Sequence, residues 1–395
     1  MPYVTTVPLV RSSWLLRYVA LLMGFVITPT AGLAEDSVAT SLATVVSVGP
    51  EGQQYGKVIA AAERLRAMPA SQLPVLLDGF AGINPLAENW LRGIVFDIVR
   101  ARGEAPAEML QRYIEDQNRN PIGRGLAMEL LRQQDSETAQ RMISDLLNDP
   151  SLRLREMAVH QAIERASALA EDRRGEAISI YKTTLAAARN PRQVAKIIEA
   201  LKPLGETVRP AEAFAMITKW HAVAPFDNVN GVGFDAVYPP ESEYLESGTV
   251  DLENQYPGKP VDGQAQSVAW QTIQSGDDDG GIDLAAAYDK EKGAVCYLYV
   301  EFHSSDQQPA QARLGCINAN KVWVNGQLLM SNEVYHAGSM VDQYIAATTL
   351  QPGANRILLK ICQNEQTESW AQDWKFQFRI TDPTGKGLTL EVPSQ

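Results

Sequence analysis

Apolar positions along the 395 residues follow two periods, one after the other. Between residues 54 and 209 they recur at intervals of three and four. Leu86, Trp90, Leu91, Ile94, Val95, Ile98 and Val99 form one stripe, Ala139, Met142, Ile143, Leu146 and Leu147 a second, and Val194, Ile197, Ile198 and Leu201 a third. Such stripes predict amphipathic helices that bury one face, so Trp90 and Met142 read as packing residues. From residue 265 the period is two. Runs at 295–302, 313–317, 321–324, 344–348, 357–362 and 374–380 are separated by Gly, Pro, Asn and Asp, and in the last of these Trp374, Phe376, Phe378 and Ile380 alternate with Lys375, Gln377 and Arg379. That pattern predicts strands with one buried face. Asn325-Gly326 between two apolar runs is a hairpin signal, because both residues tolerate positive φ.

The predicted helix starts share a device. Asn84-Pro85, Asn120-Pro121, Asp149-Pro150 and Asn190-Pro191 each set a capping side chain before a proline, whose missing N–H and fixed φ suit the first helical turn. These starts are 36, 29 and 41 residues apart, an irregular period that predicts a degenerate α-solenoid of helical hairpins. The run 149–159, Asp-Pro-Ser-Leu-Arg-Leu-Arg-Glu-Met-Ala-Val, resembles the second-helix opening of a HEAT-type repeat, and Asn120-Pro121 keeps Gly125, Leu126 and Ala127 of that pattern. The resemblance spans about 84–201. It implies a scaffold that holds a protein partner and assigns no catalytic residue.

Between the two patterns lies a seam. Arg209-Pro210 closes the helices, and residues 210–264, rich in Gly and Pro, read as a long loop that either wraps the strand region or lines a binding face. The stretch from Trp220 to Asn228 (WHAVAPFDN), then Gly233-Phe234-Asp235 and Tyr238-Pro239-Pro240-Glu241, resembles the W-x-V-x-G-P-F-D-N, G-F-D and Y-P-P-E run of bacterial extracytoplasmic proteins, with Ala224 in place of the usual Gly. Farther on, 321–326 (KVWVNG) and 350–360 (LQPGANRILLK) resemble the hairpin and strand opening of galactose-binding-like jelly rolls, a fold that includes the sugar-binding domain of family 2 glycoside hydrolases. The resemblance covers about 217–392 and implies an antiparallel β-sandwich with a carbohydrate-binding-like surface.

Composition adds location. With 45% hydrophobic and 21% charged residues the chain is globular, and its length favours more than one domain. Residues 1–34 read as a signal peptide: Arg11 and Arg17 precede the apolar run 18–27, and Gly32-Leu33-Ala34 offers small residues for cleavage. The run is too short to span a bilayer, so no membrane span is expected after cleavage. A polar linker at 35–53, a helical repeat domain at 54–209, the seam at 210–264 and the β-sandwich at 265–395 complete the predicted order. Loss of the leader takes the formal charge from −12 to −14, which argues against nucleic acid as a partner. The expected location is periplasmic or secreted. Cys296, Cys316 and Cys362 read as buried thiols, with a Cys316–Cys362 bridge left open to geometry.

Candidate chemistry is sparse. The chain has no G-x-S-x-G, H-E-x-x-H, Walker A or C-x-x-C motif, and His160, His221, His303 and His336 show no paired spacing. His160 reads as a structural residue of its helix. The Asp277-Asp278-Asp279-Gly280-Gly281 run lacks the alternation of a calcium loop and reads as a solvated turn. Asp227, Asp235 and Glu241 would serve as a glycosidase pair only if the fold brought them together. No catalytic residue, metal or cofactor is therefore assigned. Trp370, in the polar run 366–373, is the ligand-binding candidate, as an indole to stack on a sugar ring or as a packing lid. The expectation is an exported, non-enzymatic interaction protein whose helical repeats hold a protein partner and whose sandwich touches a glycan. The alternatives are an accessory or catalytic part of a glycan-processing hydrolase, or a purely structural envelope protein.

Overall fold

The computed structural model describes residues 30–390 apart from Gln53, Glu104 and Ala170, and the proposed leader lies outside the described residues up to residue 29. The chain is helical in its first half and antiparallel β-sheet in its second, and the sheets do not close into a barrel. Two compact units divide between Ala127 and Met128. Among the described residues no helix is long and apolar enough to cross a membrane.

The first unit holds α1 (Thr30–Val46), α2 (Tyr55–Arg66), α3 (Leu73–Asp78), α4 (Pro85–Arg102), α5 (Ala107–Glu115) and the opening of α6 (Pro121–Gln134). The expected stripe of α4 is buried through Leu91, Ile94, Val95 and Ile98, while Trp90 lies half-buried against Tyr55 at 5.9 Å. Asn84 caps α4 by accepting from the Ala87 amide at 2.9 Å, and Asn120 accepts from Ile122 and Gly123 at 2.9 and 3.0 Å. Gly123 permits a close approach, since a Cβ there would lie 2.2 Å from the Leu77 carbonyl oxygen. One expectation is corrected here. The segment read as a linker, 35–53, carries most of α1, whose buried side includes Ser41 and Val45.

The second unit continues with α7 (Ser136–Ile143), α8 (Leu152–Ser167), α9 (Arg174–Ala187), α10 (Pro191–Leu201) and α11 (Pro210–Phe214). Val159, Ile163, Tyr181, Val194, Ile197 and Phe214 share one core. Asn190 caps α10 through the Arg192 amide at 2.9 Å. There follow β1 (Lys219–Asp227), α12 (Pro239–Ser247), β2 (Gln255–Val261), β3 (Gln264–Ala269), β4 (Gln271–Gln274), β5 (Ile282–Asp283), α13 (Leu284–Ala287), β6 (Ala294–Ser304), β7 (Gln308–Cys316), β8 (Ala319–Val324), β9 (Gln327–Asn332), β10 (Tyr344–Leu350), β11 (Gly353–Gln363) and β12 (Lys375–Thr381).

A six-stranded sheet, β4-β1-β6-β11-β8-β9, faces a four-stranded one, β10-β7-β12-β5. Trp220, Leu298, Phe302 and Leu359 of the first meet Leu314, Phe376 and Phe378 of the second. The β8–β9 turn places Asn325 and Gly326 at φ 50° and 80°, as its residue types require. β6 reads as an unbroken apolar run because both its faces are covered. Cys296, Leu298 and Val300 enter the core between the sheets, whereas Val295, Tyr297 and Tyr299 lie under the segment 228–270.

That segment corrects the expected long loop at 210–264. It contains α12 and the β2–β3 hairpin, and Phe234, Tyr244, Val250, Tyr256 and Val268 pack onto the outer face of the six-stranded sheet. Of the two roles the sequence left open, this is the wrapping one. Lys360 of β11 lies beneath it, fully buried.

Candidate functional site

One end of the paired sheets gathers the segments after β1, before β8, after β9 and between β11 and β12. Three buried amides organise it. Asn228 donates from Nδ2 to the Tyr335 hydroxyl at 3.0 Å and to the Gln363 carbonyl at 2.9 Å. Asn318 donates to Gln363 Oε1 at 2.9 Å and to the Asp373 carbonyl at 3.3 Å, and Gln363 Nε2 reaches the Ala371 and Asp373 carbonyls at 3.4 and 3.3 Å. All three side chains are shut off from solvent. Buried amides favour one arrangement because each lost partner costs desolvation, so this network pegs two loops, 333–338 through Tyr335 and 364–374 through Ala371 and Asp373. Burial pushes the Tyr335 hydroxyl up to about 12.

Trp370 stands on the second loop, in a turn that spans Ser369–Ala371, and is 61% exposed. Gln372 Nε2 closes the loop on the Thr367 and Glu368 carbonyls at 2.7 and 2.8 Å, and Lys292 Nζ donates to the Ala371 carbonyl at 2.8 Å. His336, from the first loop, meets the indole edge-on with ring centroids 5.0 Å apart and an interplanar angle of 80°. Its Nε2 lies 3.2 Å from Asn364 Oδ1, and Asn364 Nδ2 donates to Gln366 at 2.7 Å. The indole is thus an exposed apolar surface on a braced support, flanked by an imidazole and amide side chains. This combination can stack on the C–H face of a sugar ring and hydrogen-bond its hydroxyls.

The other candidates are placed elsewhere. Asp227 Oδ1 accepts from the Val229 amide at 3.0 Å, and Asp235 is 90% exposed beside Lys321. Glu241, only 4% exposed, accepts from the Tyr297 hydroxyl at 2.6 Å and from Lys360 Nζ at 3.1 Å. Lys360 also donates to the Phe234 and Ala236 carbonyls at 3.0 and 2.6 Å, so the acid and the lysine satisfy each other inside the fold. These three carboxylates form no catalytic pair. In the Asp277–Asp279 turn, the Asp278 carbonyl accepts from the Ala211 amide, Asp278 pairs with Arg209 at 3.2 Å, and Asp279 accepts from Gly281. Among the described residues no three His, Cys, Asp or Glu side chains converge as metal ligands.

All three cysteines are free and buried. Cys316 faces the core between the sheets and Cys362 the opposite face of the six-stranded sheet, so no Cys316–Cys362 bridge forms. Burial raises both thiols to about 12, which leaves them inert. His160 lies on the exposed side of α8 and borders a groove of about 580 Å³. An adjoining groove of about 690 Å³ shares Gln140, Gln161 and Glu164 with it.

Sequence reasoning singled out Trp370 and missed what supports it. Asn228 was within reach, as the last residue of the F-D-N run. His336, Asn318 and Gln363 carry no local signal, because only the fold brings four distant segments together.

No protein-family model matches the chain, and no curated protein matches it either. Among solved structures it is similar to a β-glucosidase from Kluyveromyces marxianus, at 10% identity and a TM-score of 0.23 over 58% of this chain and 36% of that one. The same enzyme in complex with glucose gives 10% and 0.23 over 52% and 34%. The GH31 α-xylosidase from Xanthomonas citri gives 11% and 0.18 over 30% of this chain and 15% of that one. This chain thus spans about a third of the first enzyme and less of the second. The expectation of a non-enzymatic protein is withdrawn: each of the structures named is a glycosidase. Likenesses this distant carry no argument for a particular activity or fold family.

Proposed function

We propose that the chain is a glycan-binding part of a glycan-processing hydrolase, exported to the periplasm or secreted. Its two packed sheets, formed by β1 and the strands from β4 to β12, serve as a galactose-binding-like jelly roll with 228–270 as its cover. The helices at 54–209 serve as a HEAT-like solenoid that holds a protein partner along the grooves beside α8. The observation that carries this reading is the exposed Trp370 indole, held edge-on by His336 over a buried amide network. An indole kept only as a lid would cover a neighbour rather than present most of its surface to water.

A glycan-array screen of the chain from Glu35 to Gln395, beside its Trp370→Ala variant, tests the reading. Saturable binding to a glycan class, weakened about five- to thirtyfold in the variant, is the expected result, since stacking on one aromatic is worth on the order of 1–2 kcal/mol. Absence of binding, or binding that the variant keeps intact, overturns it. Incubation with each bound glycan, followed by an assay for new reducing ends, then separates a catalytic part from an accessory one.

A further inference from the structure

The charge around Trp370 narrows the ligand, given the reading of that residue as a glycan platform. We infer that this site takes glycans without anionic groups and turns away uronic-acid and sulfated ones. Glu333, Glu365, Glu368 and Asp373 are all exposed on the two loops that carry His336 and Trp370. They act on this end of the fold and not on some remote surface. Glu333 and Glu365 both act electrostatically on Tyr335, next to His336, and Glu368 acts on Lys292 beneath the indole. Glu365 is fixed as well, because its Oε1 accepts from the Asn230 amide.

Nearby cations offset them only in part. Lys292 has its ammonium drawn under the loop to the Ala371 carbonyl at 2.8 Å, and Lys375 pairs with Asp373 at 3.3 Å. Neither presents a free ammonium above the indole. No arginine belongs to either loop, so neither loop supplies the bidentate donor that recognises carboxylate or sulfate. A sugar stacked on Trp370 would meet the field of the carboxylates on these two loops, which reaches about one Debye length, roughly 8 Å at physiological ionic strength. Hydroxyls and amines suit that field. Carboxylates and sulfates do not.

The test uses the chain from Glu35 to Gln395, the form left by the proposed leader cleavage, and calorimetric titration at low and high salt. The probes are β-1,4-linked hexasaccharides of glucose, mannose and galactose, each beside its C6-oxidised, uronic-acid counterpart. The expected result is that a neutral probe binds and its oxidised counterpart binds at least about tenfold more weakly at low salt, with the gap narrowing as salt screens the carboxylates. Glu333→Gln with Glu368→Gln, both exposed, is expected to narrow the gap to about threefold while leaving the neutral affinity and the melting temperature unchanged. Equal or tighter binding of an oxidised probe, or a gap insensitive to both salt and the double variant, overturns the inference and leaves the glycan platform standing. Failure of the neutral and the oxidised probes alike, with no glycan bound on the array, removes the platform and this inference together.

Discussion

The two sheets of the second unit each bury ionised side chains on the face turned away from their shared core, under different covers. On the six-stranded sheet one lysine, Lys360, lies beneath aromatic side chains, with Tyr238 and Tyr297 about it at 5.9 and 5.7 Å, and a single carboxylate, Glu241, answers it. On the four-stranded sheet two arginines share one carboxylate. Arg379 Nε and Arg313 Nη1 reach Asp342 at 2.8 and 2.6 Å, and Arg379 also donates to the Phe214 carbonyl of α11 at 3.1 Å. The first pair locks a segment of the β region onto its own sheet, and the second locks α11 and the 333–343 loop onto the other. In both, the ion pair stands where a chain segment with little regular structure has to be held. Apolar cover alone specifies burial, while a buried charge also specifies which atoms it must meet.

The largest expected effect comes from breaking the more deeply buried pair. Lys360→Met strands Glu241 and is expected to cost about 3–5 kcal/mol in urea denaturation, and Lys360→Met with Glu241→Leu should recover part of that loss. A single-variant cost below about 1 kcal/mol would show that the wrapping segment is held by its aromatic residues alone.

Asp342→Asn comes next, at about 2–3 kcal/mol, because it leaves two arginines facing each other with part of their hydrogen bonding intact. Its pH dependence has a definite sign. Burial pushes the Asp342 carboxyl up, but hydrogen bonds and charge from Arg379 and Arg313 outweigh it and hold the group below the usual aspartate range. A carboxyl depressed in the folded state adds stability that is full above its unfolded value, about 3.9, and is lost as pH falls through the folded value. Melting temperatures recorded downward from pH 5 should therefore fall more steeply in the parent than in Asp342→Asn. Parallel curves would contradict this.

The smallest stability effect belongs to Trp370→Ala. The indole is mostly in water, and its removal should change stability by no more than about 0.5 kcal/mol while weakening glycan binding about five- to thirtyfold. A loss of 2 kcal/mol or more would mark Trp370 as a lid and bring the loop end into line with the two buried clusters.

How much of this was legible depended on range. Asn84 and Asn190 cap helices through amides two or three residues away, so the sequence carries both partners of each contact within one turn. Asn325-Gly326 is equally local. By contrast, α1 was missed because its buried side includes Ser41, which accepts a hydrogen bond from Arg64 at 3.0 Å, so no apolar stripe marks it. The β2–β3 hairpin was missed because Pro257, Gly258 and Pro260 interrupt its first strand. At the loop end, Trp370 stood out as an aromatic in a polar run. Asn318 and Gln363 did not, since an amide reveals nothing of its partners 45 residues away.

The amino-acid order by itself determined the change from helical to strand period across 210–264, the helix caps and the tight turn at Asn325-Gly326, because each rests on contacts within a few residues or on the alternation of one face. Only the tertiary structure decided that the 228–270 segment covers a second sheet face, that Glu241 serves Lys360 and not a substrate, and that His336 braces the indole. Those outcomes depend on desolvation and on partners as distant as Lys360 and Phe234, 126 residues apart, and a group's environment exists only once the chain has closed around it.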